Sequence, residues 1–221
     1  MKQMRFIGIT GGVGAGKSAV LGILKEREDA IVVEADVLAK QLMKARAGDP
    51  EEDARDGDAL ERILDRHSVH QKLVDAFAEE RIFDGEGKLD VLRMSRLIFS
   101  DETRRRQANG IIHPAVKRAV LDYVAVIREE GRHAFFFLEA ALLLEEHYDE
   151  ICDEIWYIYA SEPTRRKRLA ESRGYSDEKI EAIFSSQLSE EVFSDKCNRV
   201  IQNDGSIEDT RRQIENIIKS Y

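Results

Sequence analysis

A glycine-rich segment near the start of the chain limits the possible folds more than any other feature of the sequence. It reads Gly-Gly-Val-Gly-Ala-Gly-Lys-Ser over residues 11–18 and fits the pattern G-x-x-x-x-G-K-[ST]. The apolar run Phe6–Ile9 precedes it and the amphipathic stretch 18–25 follows it, so the segment joins a buried strand to a helix. Such a turn directs backbone N–H groups and the positive end of the helix toward one point, which suits a phosphate group.

The segment therefore predicts a site for a nucleoside triphosphate. Lys17 would reach the terminal phosphates, and the hydroxyl of Ser18 would bind Mg²⁺. The predicted nucleotide-binding residues of this segment are Gly11, Gly12, Val13, Gly14, Ala15, Gly16, Lys17, Ser18 and Ala19. The alternative is a glycine turn that binds nothing.

The rest of the chain alternates short apolar runs with helical patterns. Further strands are predicted at 31–33, 134–138, 155–159 and 199–202. This alternation predicts an α/β protein of the three-layer P-loop type, with a five-stranded parallel sheet flanked by helices. Trp156 and Tyr157 lie inside a predicted strand and are expected in the core.

The helical run between the second and third strands is too long for a simple crossover connection. It predicts a helical subdomain inserted at about 44–130, with separate helices before and after His113 and a polar, acidic loop over 46–58. Two amphipathic helices at about 163–173 and 177–189 predict a lid over about 163–190.

Composition narrows the class of protein. The 221 residues suit one domain with an insertion, and no apolar run reaches the length that a bilayer requires. The net charge of −9 argues against general binding to nucleic acid or to anionic lipid. Two cysteines and an N-terminus without a signal peptide predict a cytoplasmic protein, and no obligate protein partner is evident.

Two acidic residues follow predicted strands. Asp36 comes after the second strand and could accept a proton from an acceptor hydroxyl or orient the waters of Mg²⁺. Glu139 ends the third strand, where it could hold the Mg²⁺ shell. The alternatives are a helix cap or solvated acid for Asp36 and a structural acid for Glu139.

A basic segment, 164–173, stands out in this acidic chain. Arginines of a lid stabilise the charge of a phosphoryl group in transfer, which makes Arg168 and Arg173 candidate catalytic residues. They lie about 140° apart on one helix, so they would converge only if the helix ended before Arg173. A solvated helix face is the alternative.

The turn after the last strand contains Asn203 and Gly205, which are placed to touch a nucleotide base. A turn followed by a helix cap is the alternative reading. No guanine-reading N-K-x-D motif is present, which weakens the case for a GTPase. Together these features are typical of a small-molecule kinase related to the nucleoside monophosphate kinases, and they leave the acceptor unidentified.

The chain resembles the dephospho-CoA kinases over most of its length, from Ile7 to about Ile214. The family opens with T-G-G-x-G-[SA]-G-K-S and continues with an acidic D-A-D motif, an H-P pair, a lid and a final N-x-G turn. The matching segments are Thr10–Ser18, Glu34–Lys40, Gly87–Asp90, Ile98–Phe99, His113–Pro114, Glu139–Glu145, Lys167–Arg173 and Asn203–Gly205.

The resemblance implies transfer of the γ-phosphate of ATP, with Mg²⁺, to the ribose 3′-hydroxyl of dephospho-CoA. It implies that Asp36 is the general base. It also implies that Arg93, His113 and Leu142 bind the dephospho-CoA.

The chain departs from the family pattern mainly on the acceptor side. Glu34 and Glu139 replace aspartates, and Ala141 replaces a proline of the acceptor pocket. Two other functions therefore stay open: a related kinase with a different acceptor, such as a nucleoside monophosphate, and a nucleotide-binding regulator without turnover.

Overall fold

The computed structural model describes residues 4–44, 59–85 and 87–221. These residues form two compact units, one built from Met1–Val33 with Gly131–Tyr221 and the other from Glu34–Glu130. The acidic loop expected at 46–58 lies outside the described residues. In the described part of the chain, no helix combines the length and the apolar character needed to cross a membrane.

The first unit is organised around a sheet of five strands. These strands are β1 (Arg5–Thr10), β2 (Ala30–Glu34), β3 (Phe135–Glu139), β4 (Glu154–Tyr159) and β5 (Arg199–Gln202). Their order across the sheet is β2-β3-β1-β4-β5, and the pairs that involve β1 or β5 are parallel. The predicted fold class, a five-stranded parallel sheet flanked by helices, is confirmed.

The helices follow the strands in alternation, as the sequence predicted. In chain order they are α1 (Lys17–Lys25), α2 (Ala35–Lys44), α3 (Ala59–His67), α4 (His70–Ala76), α5 (Val91–Ser100), α6 (Glu102–Glu130), α7 (Glu162–Arg173), α8 (Asp177–Ser185), α9 (Glu190–Lys196) and α10 (Ile207–Lys219).

The central strands of the sheet are apolar on both faces because helices cover both sides. β3 reads Phe-Phe-Phe-Leu-Glu, and its first four residues are buried. Phe137 and Trp156 are fully buried on β3 and β4, the strands on either side of β1, with ring centroids 5.3 Å apart. The expectation that Trp156 and Tyr157 belong to the core is therefore confirmed.

The second unit consists of helices α2 to α6. The 29-residue helix α6 is its centre, because α2, α3, α4 and α5 all pack against it. A polar contact supports the α3 interface: His67 Nε2 lies 2.8 Å from Asp122 Oδ2, and Arg66 donates to the same oxygen at 3.1 Å. These contacts hold the pKa of Asp122 below its usual value, the hydrogen bond from His67 being the main cause.

The expected helix break at His113 and Pro114 is wrong. Helix α6 runs without interruption from Glu102 to Glu130 and contains Pro114. Buried residues on both sides of the proline, among them Ala108 and Val116, hold the two halves on the same core. Burial therefore outweighs the cost of the backbone hydrogen bond that proline removes.

The expected single helix at 177–189 is also wrong. Helix α8 ends at Ser185, and α9 begins at Glu190. The hydroxyl groups of Ser185 and Ser186 donate to carbonyls of the preceding turn, and the side chain of Ser189 caps α9 by accepting from Val192 N. Serine side chains compete with helical backbone bonds in this way, which explains the break.

The proline in α6 leads to a stability prediction. Pro114→Ala supplies the N–H that would donate to the carbonyl of Gly110, and it removes the ring that presses on that carbonyl. We expect the free energy of unfolding to rise by up to about 3 kcal/mol, measured by urea denaturation. A stability equal to or below that of the natural chain would contradict this account.

The matched control lies in the same helix. A methyl group added at Gly110 meets no other atom within 4 Å. Gly110→Ala should therefore show only the gain in helix propensity, about 1 kcal/mol.

Candidate active site

The glycine-rich segment forms the connection between β1 and α1, and we call residues 11–16 the phosphate loop. Its turn is closed by a hydrogen bond from Ala15 N to Gly12 O at 3.1 Å. Gly16 caps the helix in the left-handed conformation, with φ of 88°, which glycine adopts without a steric penalty. The first turn of α1 has no acidic side chain, so nothing within that turn neutralises the positive end of the helix.

The topology of the sheet places this loop at a favourable position. β1 lies in the centre of the sheet between β3 and β4, with β2 beyond β3 and β5 beyond β4. The connection after β1 leads to β2 on one side of it, and the connection after β3 leads to β4 on the other side of β1. The strand order therefore reverses at β1, and ligands of such sheets bind at the carboxyl ends of the strands at this point. Glu139 reaches the same edge, because it is the last residue of β3 and pairs with Ile9 of β1.

Lys17 lies at the first position of α1 and is largely buried. Its Nζ donates to Gly11 O at 2.8 Å and lies 3.7 Å from Glu139 Oε1. Burial lowers the pKa of Lys17, the Glu139 carboxylate opposes this shift, and the positive charges of Arg165 and Arg173 lower the pKa further. The lysine is thus one of several cations whose mutual repulsion an anionic ligand would relieve.

Helix α7 packs directly on the phosphate loop. Arg165 donates from Nε to Val13 O at 3.0 Å. Arg168 donates to Ala15 O at 3.2 Å and to Asn203 O at 2.7 Å. The structure therefore places Arg168, a predicted catalytic residue, against backbone carbonyls on which the shape of the loop depends.

Asn203 also holds the phosphate loop. Its side chain is buried, donates from Nδ2 to Ala15 O at 2.7 Å and accepts from Thr210 Oγ1 at 2.8 Å. Gly205, which the sequence paired with Asn203 at a base-binding turn, is exposed. Both polar atoms of the Asn203 side chain are hydrogen-bonded to protein groups, so this buried side chain holds the loop instead of pointing into solvent.

The condition for Arg168 and Arg173 to converge is not met. Helix α7 includes Arg173 and is capped by Gly174 in the left-handed conformation. The two arginines consequently lie on different sides of one helix. Arg173 is exposed at the end of α7, and its positive charge makes a minor contribution to the lowered pKa of Lys17.

Arg165 is the site residue that sequence reasoning missed. A signal for it was present: Leu169 is the buried residue of α7, and Arg165 and Arg173 lie four residues before and after it. Residues at this spacing share a helix face, so the face of α7 that contains Leu169 also carries Arg165, which is half-buried, and Arg173, which is exposed.

The predicted magnesium ligands are both in the first unit. Ser18 is exposed in the first turn of α1, and the carboxylate of Glu139 faces Lys17. Ala19 is exposed in the same turn as Ser18. The two oxygen groups are of the kind that Mg²⁺ prefers.

Most of the residues expected to bind the acceptor belong to the second unit. Asp36 is exposed in the first turn of α2, and His113 is half-buried in α6. Arg93 lies in α5 and donates to Arg81 O at 3.0 Å, with more than half of its side chain exposed. Leu142 is in the first unit, in the turn after β3, and is 48% exposed. Their roles stay predictions.

The left-handed glycine of the phosphate loop gives a testable prediction. In Gly16→Ala the added methyl carbon would lie 2.3 Å from Nδ2 of the buried Asn203, and the positive φ would strain the backbone. We expect the free energy of unfolding to fall by on the order of 2 kcal/mol and ATP binding to weaken, measured by denaturation and by calorimetry.

Gly22→Ala is the matched control in α1, because a methyl group there meets nothing within 4 Å. It should leave ATP binding unchanged and raise the stability by about 1 kcal/mol. If the two variants were equally stable and bound ATP equally well, the fixed geometry assigned to Gly16 would be wrong.

Comparison with known proteins gives the family of this chain. A family model described as dephospho-CoA kinase matches residues 5–51 and 53–209. The dephospho-CoA kinase of Symbiobacterium thermophilum is 32% identical over 212 residues, which cover 96% of this chain and 79% of that protein. A curated dephospho-CoA kinase of Geobacter sulfurreducens is 30% identical, with 97% of both chains covered.

Solved structures show the same fold. A crystal structure from Thermus thermophilus, 26% identical in sequence, superposes with a TM-score of 0.72 and covers 99% of this chain and 98% of its own. The match of the family model spans the phosphate loop, both compact units and the turn at Asn203. This chain belongs to the dephospho-CoA kinase family.

Proposed function

We propose that this protein transfers the γ-phosphate of ATP to the ribose 3′-hydroxyl of dephospho-CoA and so forms coenzyme A. The observation that carries the proposal is the phosphate loop, with the largely buried Lys17 beside Glu139, in a chain that belongs to this kinase family along most of its length. The similar proteins are dephospho-CoA kinases, and we take the acceptor from their name.

The electrostatics of the first unit support a triphosphate as the donor. Lys17, Arg165 and Arg173 are close enough for the two arginines to lower the pKa of the lysine. The transferred phosphoryl group spreads negative charge over its oxygen atoms in the transition state, and preorganised cations stabilise that charge. Lys17 and Arg173 are the residues we assign to this task, with Arg168 fixing the loop on which the phosphates rest.

The acceptor step needs a group that takes a proton. The 3′-hydroxyl oxygen forms a bond to the γ-phosphorus, the bond from that phosphorus to the β–γ bridging oxygen breaks, and ADP leaves. We assign to Asp36 the role of accepting the proton of the hydroxyl. Its side chain is exposed in the first turn of α2. On the acceptor itself we assign contacts to Arg93, whose side chain is more than half exposed and whose guanidinium suits a phosphate, and to His113 and Leu142.

Mg²⁺ fits the donor set that the chain provides. Ser18 and Glu139 would hold the ion, and the remaining ligands of magnesium in such sites are water and phosphate oxygen. When bound, the ion supplies positive charge that neutralises the triphosphate. We further place the protein in the cytoplasm, because Cys152 and Cys197 are not joined in a disulfide.

A product assay tests the proposed acceptor. The protein is incubated with ATP, Mg²⁺ and dephospho-CoA, or with AMP, CMP or UMP in its place, and the products are identified by mass spectrometry. We expect a product of the mass of coenzyme A and little transfer to the monophosphates. Turnover of a monophosphate alone would show a different acceptor, and ATP binding without any turnover would show a regulator.

A substitution tests the proton acceptor. Asp36→Asn keeps the shape of the side chain but removes its basicity, so we expect kcat for dephospho-CoA to fall by at least about 100-fold while ATP binding stays within a factor of two or so. Asp65→Asn is the matched control, since Asp65 is another exposed helical carboxylate of the second unit. An Asp36→Asn enzyme as fast as the control would remove Asp36 from the mechanism.

A further inference from the structure

The guanidinium of Arg165 joins the phosphate loop to a second part of the chain. Besides its bond to Val13 O, it donates from one terminal nitrogen to Gln187 Oε1 at 2.5 Å. Its Cζ also lies 4.4 Å from the ring centroid of Phe184 in α8. We call residues 163–190 the lid segment. Arg165 lies within it and contacts both the loop, at Val13 O, and the later part of the segment, at Phe184 and Gln187.

The contact with the loop is close enough to constrain it. A methyl carbon added at Gly12 would lie 2.6 Å from Cζ of Arg165, so the guanidinium fills the space beside this glycine. Burial lowers the pKa of Arg165, while the charge remains near Lys17 and lowers the pKa of the lysine. An arginine whose charge is costly to bury yet makes bonds to two separated segments has a role beyond solubility.

The bond to Val13 O has a consequence inside the loop. A peptide unit is planar and trans, so its carbonyl and the next N–H point in opposite directions. When Arg165 fixes the carbonyl of Val13, it also fixes the N–H of Gly14 so that this group points away from the arginine. Phosphate loops bind their anion through such N–H groups, so the orientation of this peptide bears on ATP affinity.

We infer that Arg165 is a positioning residue that fastens the lid segment to the phosphate loop through Val13, Phe184 and Gln187, and so determines how tightly the protein holds ATP. The inference rests on ATP as the donor of the proposed function, but it does not depend on the acceptor.

The experiment measures binding of the nonhydrolysable analogue β,γ-imido-ATP with Mg²⁺ by calorimetry, without an acceptor. Arg165→Ala should weaken binding about tenfold or more, because it removes two charge-assisted hydrogen bonds. Arg166→Ala is the matched control: this arginine lies 5.4 Å from the same Phe184 ring but donates to Glu162 and Glu181, not to the loop. It should bind the analogue like the natural chain.

Further variants separate positioning from charge. Arg165→Lys keeps the charge but lacks the planar fork that bonds both partners at once, so it should recover only part of the affinity that Arg165→Ala loses. Gln187→Ala should weaken binding too, and the double variant should show less than the sum of the two effects. In hydrogen exchange without nucleotide, residues 184–188 should exchange faster in Arg165→Ala than in Arg166→Ala.

The results distinguish this inference from the proposed function. If the natural chain bound no analogue, ATP as the donor would be wrong. If the natural chain bound it and Arg165→Ala bound it equally well, or if Arg165→Lys restored full affinity, the positioning role would be overturned. Should Arg165→Ala melt at a lower temperature than the natural chain, Arg165→Gln, which can still reach one of the two partners, must show intermediate affinity for the inference to stand.

Discussion

The carbonyl oxygen of Ala15 is the point at which the phosphate loop is fastened to the rest of the first unit. It accepts hydrogen bonds from the buried amide of Asn203 and from Arg168. One donor follows β5 and the other lies on α7, so two elements distant in sequence meet at a single peptide. That peptide immediately precedes Gly16, the cap of α1. The direction of the helix terminus toward a phosphate therefore depends on these bonds.

The same packing gathers positive charge in a chain whose net charge is −9. Lys17 is largely buried near Arg165 and Arg173, and Glu139 is the acid that offsets its charge. The lowered pKa of Lys17 means that the fold holds this charge at a cost when no ligand is bound. A triphosphate carries the opposite charge, so its binding relieves repulsion that the folded chain already contains.

The sequence predicted the sheet well because its strands are short, continuous apolar runs. Such runs are typical of strands that are buried on both faces. It predicted the position of the phosphate loop because the spacing of the glycines and of Lys17 is fixed within eight residues. It failed at Pro114, where a local rule suggested a helix start but burial of Ala108 and Val116 on one core kept the helix continuous. The break between α8 and α9 depends on serine hydroxyl bonds that no hydrophobic period reveals.

The roles of the arginines on α7 show why part of the site was hidden. Charge alone made Arg168 and Arg173 equivalent candidates, but in the structure Arg168 donates to the phosphate loop and Arg173 is exposed. Arg165, one turn before the buried Leu169, donates to the loop as well. The glycines of the loop carry a related ambiguity. Gly12 and Gly16 allow the backbone to approach a phosphate, yet a side chain at either would also collide with Arg165 or Asn203. Glycine at these positions is thus required both by the ligand and by the packing of α7 and Asn203. The sequence motif shows that glycine is needed but does not show which of the two reasons applies at each position.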